Sequence, residues 1–195
     1  MNGDPGQPGP PTADLEAGTV RLAAADGGLY QLAGDFWEDY VADVTKSLQV
    51  PPVDPAQATA HSFLALAREG PTPLKFGRDV KEVASARPEE LFRLYGASPV
   101  LVFATSEWLL VGCFHTFDPW FNVRAKIVDT ASGRVVWRKS CRGGSPSGGS
   151  LYASTLAANG GALYGRLIRE RARECSREIF ASLERDRGVP ASDAR

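Results

Sequence analysis

The sequence predicts an α+β fold with α/β-like layering: a single mixed or mainly antiparallel sheet of about four or five strands, with helices packed on it and a long C-terminal helix. Two observations predict it. Apolar runs of strand length lie close together between residues 99 and 141, and apolar residues recur every three or four positions from Tyr164 to Leu183. Since 43% of the 195 residues are hydrophobic, one domain can bury a sizeable core.

Composition divides the chain into three parts. Residues 1–17 are rich in Gly and Pro, which predicts a flexible tether. Residues 18–187 carry the periodic patterns and are predicted to form one domain. Residues 188–195 are predicted to be a loose C-terminal tail.

The sequence pattern of the first half of the domain predicts mostly helices. Asp35 and Glu38 form a capping-box-like pattern at the start of an apolar periodicity that reaches Leu48. Further predicted elements are a strand at 19–24, a helix at 56–68, a short strand at 74–77, and a short helix at 88–95 that starts with Pro and ends before Gly.

The second half predicts the core of the sheet. Residues 99–104 are continuously apolar, as expected of a strand covered on both faces. Further strands are predicted at 108–114, 121–128 and 134–141. The segment from Asp129 to Gly133 predicts a tight hairpin between the last two strands, because Gly accepts a positive φ.

The last helix is predicted at 163–183 and places one narrow apolar stripe against the sheet. Arginines and glutamates alternate on its opposite side, a pattern typical of a solvated face and a weaker candidate for a contact surface.

The chain has three cysteines. Cys141 lies on the strand face that carries Val135 and Trp137, and Cys175 lies in the middle of the helical stripe. If the helix docks through that stripe, both sulfurs enter one layer, so we predict a Cys141–Cys175 disulfide; two buried free thiols are the alternative. A disulfide indicates an oxidising compartment.

Cys113 would then remain unpaired, two residues before His115. A metal site and a Cys–His nucleophile are the functional interpretations, but the spacing matches no zinc motif. A packed strand thiol beside a partly exposed imidazole is the structural one. We therefore predict no catalytic residue, metal or cofactor.

An aromatic segment surrounds Asp118-Pro119. Its rings either fill the core beneath a turn or form an exposed contact surface. The candidate surface residues are Phe117, Trp120 and Phe121.

Charge and hydropathy exclude several classes of function. With 22 basic and 23 acidic residues, the net charge of −1 offers no general attraction for nucleic acid. No segment predicts a transmembrane helix or a signal peptide. The chain is therefore either cytoplasmic or begins after a removed leader, and the predicted disulfide favours a periplasmic location.

The segment from Leu91 to Cys141 resembles bacterial periplasmic lipoproteins related to the curli-secretion pore lipoprotein. The resemblance covers about half of the chain and is carried by a strand ending in Asp129-Thr130-Ala131-Ser132-Gly133, a return strand containing Trp137, and a long helix that follows. It implies a small α/β domain held at the outer membrane by a lipidated amino-terminal Cys, which this sequence lacks. It implies no catalytic residues.

The leading hypothesis is a non-enzymatic envelope protein that acts through contacts with other envelope proteins or with copies of itself. A small-ligand-binding module with a cleft between sheet and helices is the alternative. A hydrolase that uses Cys113 or a serine is the third.

Overall fold

The computed structural model describes residues 16–20, 32–33, 52–69, 80–83, 86–113, 116–144 and 151–187. Within these ranges the structure has seven strands and three helices. The strands are β1 (Glu16–Val20), β2 (Leu32–Ala33), β3 (Lys81–Val83), β4 (Pro99–Cys113), β5 (Thr116–Asp129), β6 (Arg134–Gly143) and β7 (Leu151–Tyr152). The helices are α1 (Pro55–Glu69), α2 (Pro88–Tyr95) and α3 (Ala153–Asp186).

The strands form one mixed sheet, which confirms the predicted α+β fold. Its order is β3-β1-β4-β5-β6, while the short β2 and β7 pair with β4 and β5. The pairs β4–β5 and β5–β6 are antiparallel, whereas β1 runs parallel to both β3 and β4. The predicted hairpin joins β5 to β6, and Gly133 has the expected positive φ of 69°.

The predicted strands at 99–104 and 108–114 are one continuous strand, β4, with a bulge between them. Thr105 pairs with Val123 and Glu107 pairs with Asn122, so Ser106 is an extra residue on β4. A bulge reverses the side-chain alternation beyond it. Trp108 therefore points to the same face of the sheet as Phe103 and Thr105, and it is buried with Phe103 in the main core.

Helices α1 and α3 cover one face of the sheet and form the main core with it. Many large side chains of this core are almost completely buried, among them Phe63 of α1, Phe103 of β4, Ile127 of β5 and Ile168 of α3. Ser176 joins the two helices: its hydroxyl lies 2.8 Å from the carbonyl oxygen of Thr59 and 2.7 Å from that of Ala172, either of which can accept its proton.

Asp54 fixes the start of α1 against the sheet. Its Oδ1 accepts from the backbone N–H of Ala56 at 2.8 Å and from the Thr105 hydroxyl at 2.8 Å. An aspartate at this position caps the unpaired N–H groups of a helix. Because Thr105 lies beside the bulge, this cap also sets where α1 sits along β4.

Helix α2 covers one end of the opposite face. It buries Leu91 together with Val83, Val100, Val102 and Val128 in a second, smaller core. Val100 and Val102 of β4 are buried in this second core and Leu101 and Phe103 in the main core, which confirms that the apolar run is covered on both faces. We call this side of the sheet the open face, because α2 is the one described helix that packs on it, at the end that contains Val102 and Val128.

Helix α3 begins earlier than predicted and is broken. Residues 158–161 have non-helical backbone angles, and Asn159, Gly160 and Gly161 have positive φ. Glycine adopts such angles without strain, and Asn tolerates them. A Cβ at Gly161 would lie 3.2 Å from Pro52 Cγ, so the break also allows the segment before α1 to approach. The long regular part that follows is the helix that the sequence predicts.

Strand β1 starts inside the predicted tether, because Glu16 and Ala17 already pair with β4. The rest of the tether, the predicted helix after Asp35, the predicted strand at 74–77 and the C-terminal tail lie outside the described residues.

Candidate functional site

The interface between β6 and α3 is held by three kinds of bond. Cys141 and Cys175 form the predicted disulfide, with a Cα–Cα distance of 5.5 Å. Two residues back along β6, Lys139 Nζ lies 3.1 Å from Glu178 Oε1. Two residues further back, Trp137 Nε1 donates to Asp186 Oδ2 at 2.9 Å. Side chains two apart on a strand share a face, so one face of β6 contacts the last third of α3, from Cys175 to Asp186.

The aromatic segment is not a turn. Thr116 to Trp120 is the first part of β5, paired with β4, and Phe117 and Phe121 are buried in the main core with 1% and 2% of their surfaces exposed. The prediction of an exposed surface at these two rings is wrong, because both lie on the face that α1 and α3 cover. Trp120 lies on the other face and is half-buried.

Pro119 fits within β5 because of where the neighbouring strands end. Strand β6 pairs with β5 as far as Phe121, and β7 pairs with it at Phe117 and Thr116. Between these two pairings, no described strand lies beside Pro119 on the side of β5 that faces β6 and β7. Since proline has no N–H to donate, it is tolerated where the ladder is interrupted.

Trp120 is held on the open face by Arg142 and Gly144. The Arg142 guanidinium carbon lies 5.8 Å from the centre of the indole ring, within the range of a cation–π contact. A Cβ at Gly144 would lie 2.1 Å from Trp120 Cδ1, which is closer than atoms can approach. Gly143 ends β6, and Gly144 allows the indole ring to approach the backbone.

Four basic residues lie near Trp120 on the open face, and we call them the basic track: Arg124, Lys126, Arg138 and Arg142. Arg124 is opposite Ser140, Lys126 is opposite Arg138, and Arg142 is opposite Asn122. These three rows follow one another along the β5–β6 pair at steps of about 6.8 Å. The three arginines are exposed and Lys126 is half-buried.

The track is only two strands wide. On the β4 side, the residues opposite Asn122, Arg124 and Lys126 are Glu107, Ala104 and Val102. Asp118 lies beyond Trp120 on the same face of β5 and is half-buried. The cations therefore form a line along the strands.

The guanidinium groups of the track have no carboxylate partner within the part of the chain that the structure describes. The described ion pairs are Lys139–Glu178 and Arg171–Glu174. Lys126 Nζ instead donates to the Ala86 carbonyl oxygen at 3.3 Å. Like charges directly opposite each other destabilise a sheet. The Lys126–Arg138 pair therefore lowers the stability of the fold, and its presence is not explained by folding alone.

Two exposed apolar side chains lie at the ends of this face. Tyr152 is opposite Thr116 and is 61% exposed, and Val135 is opposite Val128 and is 40% exposed. The prediction that Val135 shares a face with Trp137 is wrong, because Val136 is an extra residue on β6 and the side-chain alternation reverses there. The alternation of Arg124 and Lys126 with apolar residues is visible in the sequence, but it does not by itself predict the basic track. Only the pairing with β6 shows that Arg138 and Arg142 join them.

The alternative sites receive no support from the described residues. Cys113 ends β4, but its side chain and the whole of His115 lie outside the described residues, so the metal, nucleophile and structural interpretations of these two residues all stay untested. Over the ranges given above, no three His, Cys, Asp or Glu side chains lie together as metal ligands would. No helix in those ranges is both long and apolar enough to cross a membrane.

Comparison with known proteins gives structural likenesses only. No protein-family model matches the chain, and no curated protein matches it. The PelC dodecamer subunit from Paraburkholderia phytofirmans is 14% identical, with a TM-score of 0.36 over 87% of this chain and 93% of that one. A lipoprotein from Neisseria meningitidis is 14% identical, with a TM-score of 0.36 over 82% and 99%.

A hypothetical protein from Chlamydia trachomatis is 12% identical, with a TM-score of 0.37 over 88% of this chain and 98% of that one. Because all three TM-scores are below 0.5, we take the function from the residues of this chain and not from these proteins.

Proposed function

We propose that this chain is an exported, non-catalytic protein of the bacterial envelope that acts through contacts with other proteins or with copies of itself. The observation that carries the proposal is the Cys141–Cys175 disulfide inside the main core. Disulfides persist in oxidising compartments and are rare in the cytosol. A disulfide between two buried residues of the β6–α3 interface is part of the folded core.

The open face supports the second part of the proposal. Trp120, Tyr152 and the basic track present aromatic and guanidinium groups together, and these groups are enriched at the energetic centres of protein interfaces. Trp120 is held in place by Arg142 and Gly144. A positioned side chain loses little conformational entropy when a partner binds.

Location is tested by fractionating native cells that express the chain with a carboxyl-terminal tag. The proposal expects the tagged protein in the periplasmic or membrane fraction, whatever form of anchor it has. Recovery of the folded protein together with a cytoplasmic marker would overturn export.

The contacts of this chain with other proteins or with copies of itself are tested by light scattering on the envelope extract after size separation. The proposal expects a mass above the 20.9 kDa of the chain. Trp120→Ala should lower that mass, whereas His61→Ala, which removes an exposed ring from α1 on the other side of the sheet, should not. An unchanged mass in both variants would exclude the open face as the contact surface.

A further inference from the structure

We propose that the basic track binds an extended acidic segment of a partner protein in which alternate residues are Asp or Glu. The inference rests on the proposed function for taking the partner to be a protein. Three features of the open face support it: the linear arrangement of the cations, the absence of carboxylate partners for its arginines among the described residues, and the exposed apolar side chains beyond the cations.

The arrangement is a line of charge. Arg142, Arg124 and the Lys126–Arg138 pair occupy three successive rows of the β5–β6 ladder, a length of about 14 Å at about 3.4 Å per strand residue. The β4 neighbours of these rows are not basic. A membrane surface would be matched by a patch that extends in two dimensions, whereas a line matches a linear polyanion.

The spacing selects an extended peptide among linear polyanions. Alternate side chains of an extended peptide lie on one side at steps of about 6.8 Å, which is the step between rows of the track. Carboxylates placed at that step can each meet one guanidinium or ammonium group. Arginine is suited to this because its planar group binds a carboxylate through two parallel hydrogen bonds.

The ends of the track fit a peptide as well. Val135 lies beyond the Lys126–Arg138 row and Tyr152 lies beyond Trp120, both with large exposed fractions. Tyr152 is opposite Thr116 and Val135 is opposite Val128, which lie about 41 Å apart along β5 at about 3.4 Å per residue. An extended acidic segment of about a dozen residues with apolar residues at its ends can bury them on these two side chains. A polyuronate backbone has no apolar side chains to place there, and the bases of a single-stranded nucleic acid could stack on Tyr152 but have no ring to stack on at Val135.

The lack of carboxylate partners for the arginines of the basic track gives the driving force for binding an acidic segment. Among the described residues, no carboxylate neutralises Arg124, Arg138 or Arg142. A bound carboxylate between Lys126 and Arg138 would remove the repulsion across the two strands. The interaction is expected to weaken as salt is added, because the groups are exposed and are screened.

The test measures binding of fluorescent peptides of about eight residues, about 27 Å long when extended, to the purified full chain at low ionic strength. One peptide alternates Ser and Glu, and its isomer has all four Ser followed by all four Glu. The proposal expects the alternating peptide to bind at least about threefold more tightly. Equal affinities of the two isomers would overturn it.

Variants of the track supply the second arm. Arg124→Gln with Arg138→Gln should weaken binding by roughly three- to thirtyfold, as expected for two exposed ion pairs. Arg166→Gln with Arg173→Gln removes the same charge from the exposed side of α3 and should leave the affinity unchanged. An equal loss in both double variants would mean general charge attraction and would overturn the proposal.

A charge-reversed variant keeps the test decisive. Arg124→Glu with Arg138→Glu should lose the Ser–Glu peptide and bind an alternating Ser–Lys peptide; failure to bind the basic peptide contradicts the assigned track. Tighter binding of polyuronate or single-stranded DNA than of the Ser–Glu peptide would also overturn the peptide as the occupant. These measurements use purified protein, so they leave the export proposal untouched if they fail.

Discussion

The indole nitrogen of Trp137 donates to the Asp186 carboxylate across 2.9 Å, and this bond joins the edge strand of the sheet to the last turn of the last helix. Trp137 is buried, with 5% of its surface exposed. The bond fixes how far α3 extends along β6, while the disulfide fixes the same interface nearer the middle of the helix.

Removing this hydrogen bond should destabilise the protein modestly. Trp137→Phe keeps an aromatic ring in the core but loses the donor, and we expect a loss of about 1–2 kcal/mol in the free energy of unfolding, including some lost packing. Urea unfolding checks this. Asp186→Asn keeps an oxygen acceptor and should cost less; an equal or larger loss in that variant would show that the bond to Trp137 is not the cause.

Removing the disulfide should have a larger effect. Cys141 and Cys175 are 34 positions apart, and in the chain-entropy model a loop of that length is worth about 3–4 kcal/mol. We expect the double variant Cys141→Ala, Cys175→Ala to lose about that much, less whatever the emptied space regains by packing. A reductant should destabilise the wild type but leave the double variant unaffected. The same response to reductant in both would contradict the prediction.

Adding a methyl group at Gly144 should disturb Trp120. The new Cβ would collide with the indole ring, so Gly144→Ala is expected to cost about 1–3 kcal/mol. A double-mutant cycle with Trp120→Leu isolates the collision, since the smaller side chain leaves room for the Cβ. If the cost of Gly144→Ala is the same with and without Trp120, the ring is not what Gly144 accommodates.

The β5–β6 hairpin should show a small pH-dependent contribution to stability. The Ser132 hydroxyl, which donates to Asp129 Oδ2 at 2.6 Å, lowers the pKa of the Asp129 carboxyl below its usual 3.8, helped by the backbone N–H groups of Ala131 and Ser132. A carboxyl whose pKa falls on folding stabilises the folded state above its unfolded pKa, and this is lost as pH falls through the folded pKa.

Ser132→Ala should therefore be less stable than the wild type at neutral pH by roughly a few tenths of a kcal/mol, because the site is exposed. The two proteins should converge as the pH falls below about 3.8. Unfolding measured from pH 7 down to pH 2.5 checks this, and a stability difference that grows toward acid would have the wrong sign.

Local patterns predicted the hairpin, the strand β6 and the apolar stripe of α3, because each depends on residues close in sequence. The disulfide followed, since strand and helix each place one sulfur toward the same layer. The bulge at Ser106 was not predictable, because it exists to keep both Phe103 and Trp108 in the core, which is a demand of tertiary packing. The aromatic segment was misassigned because Asp118-Pro119 is typical of a turn, and only the neighbouring strand ends allow it within β5.

The candidate site was harder to predict than the fold. The basic track requires the register of two strands, since Arg124 becomes the neighbour of Arg138 and Arg142 only in the paired sheet. No short-range pattern marks Gly144 as the contact of Trp120. The site therefore depends on the pairing of β5 with β6 and on the close approach of Gly144 to Trp120, neither of which can be read from composition.

The most direct test of the account is to map the disulfides of the protein isolated from its native cells, with free thiols alkylated at lysis and peptides separated without reductant. We expect a peptide pair that joins Cys141 to Cys175, with no alkylation at either residue. Alkylation of both cysteines in the folded protein, or linkage of either one to Cys113, would contradict the disulfide across the β6–α3 interface and the extracytoplasmic location inferred from it.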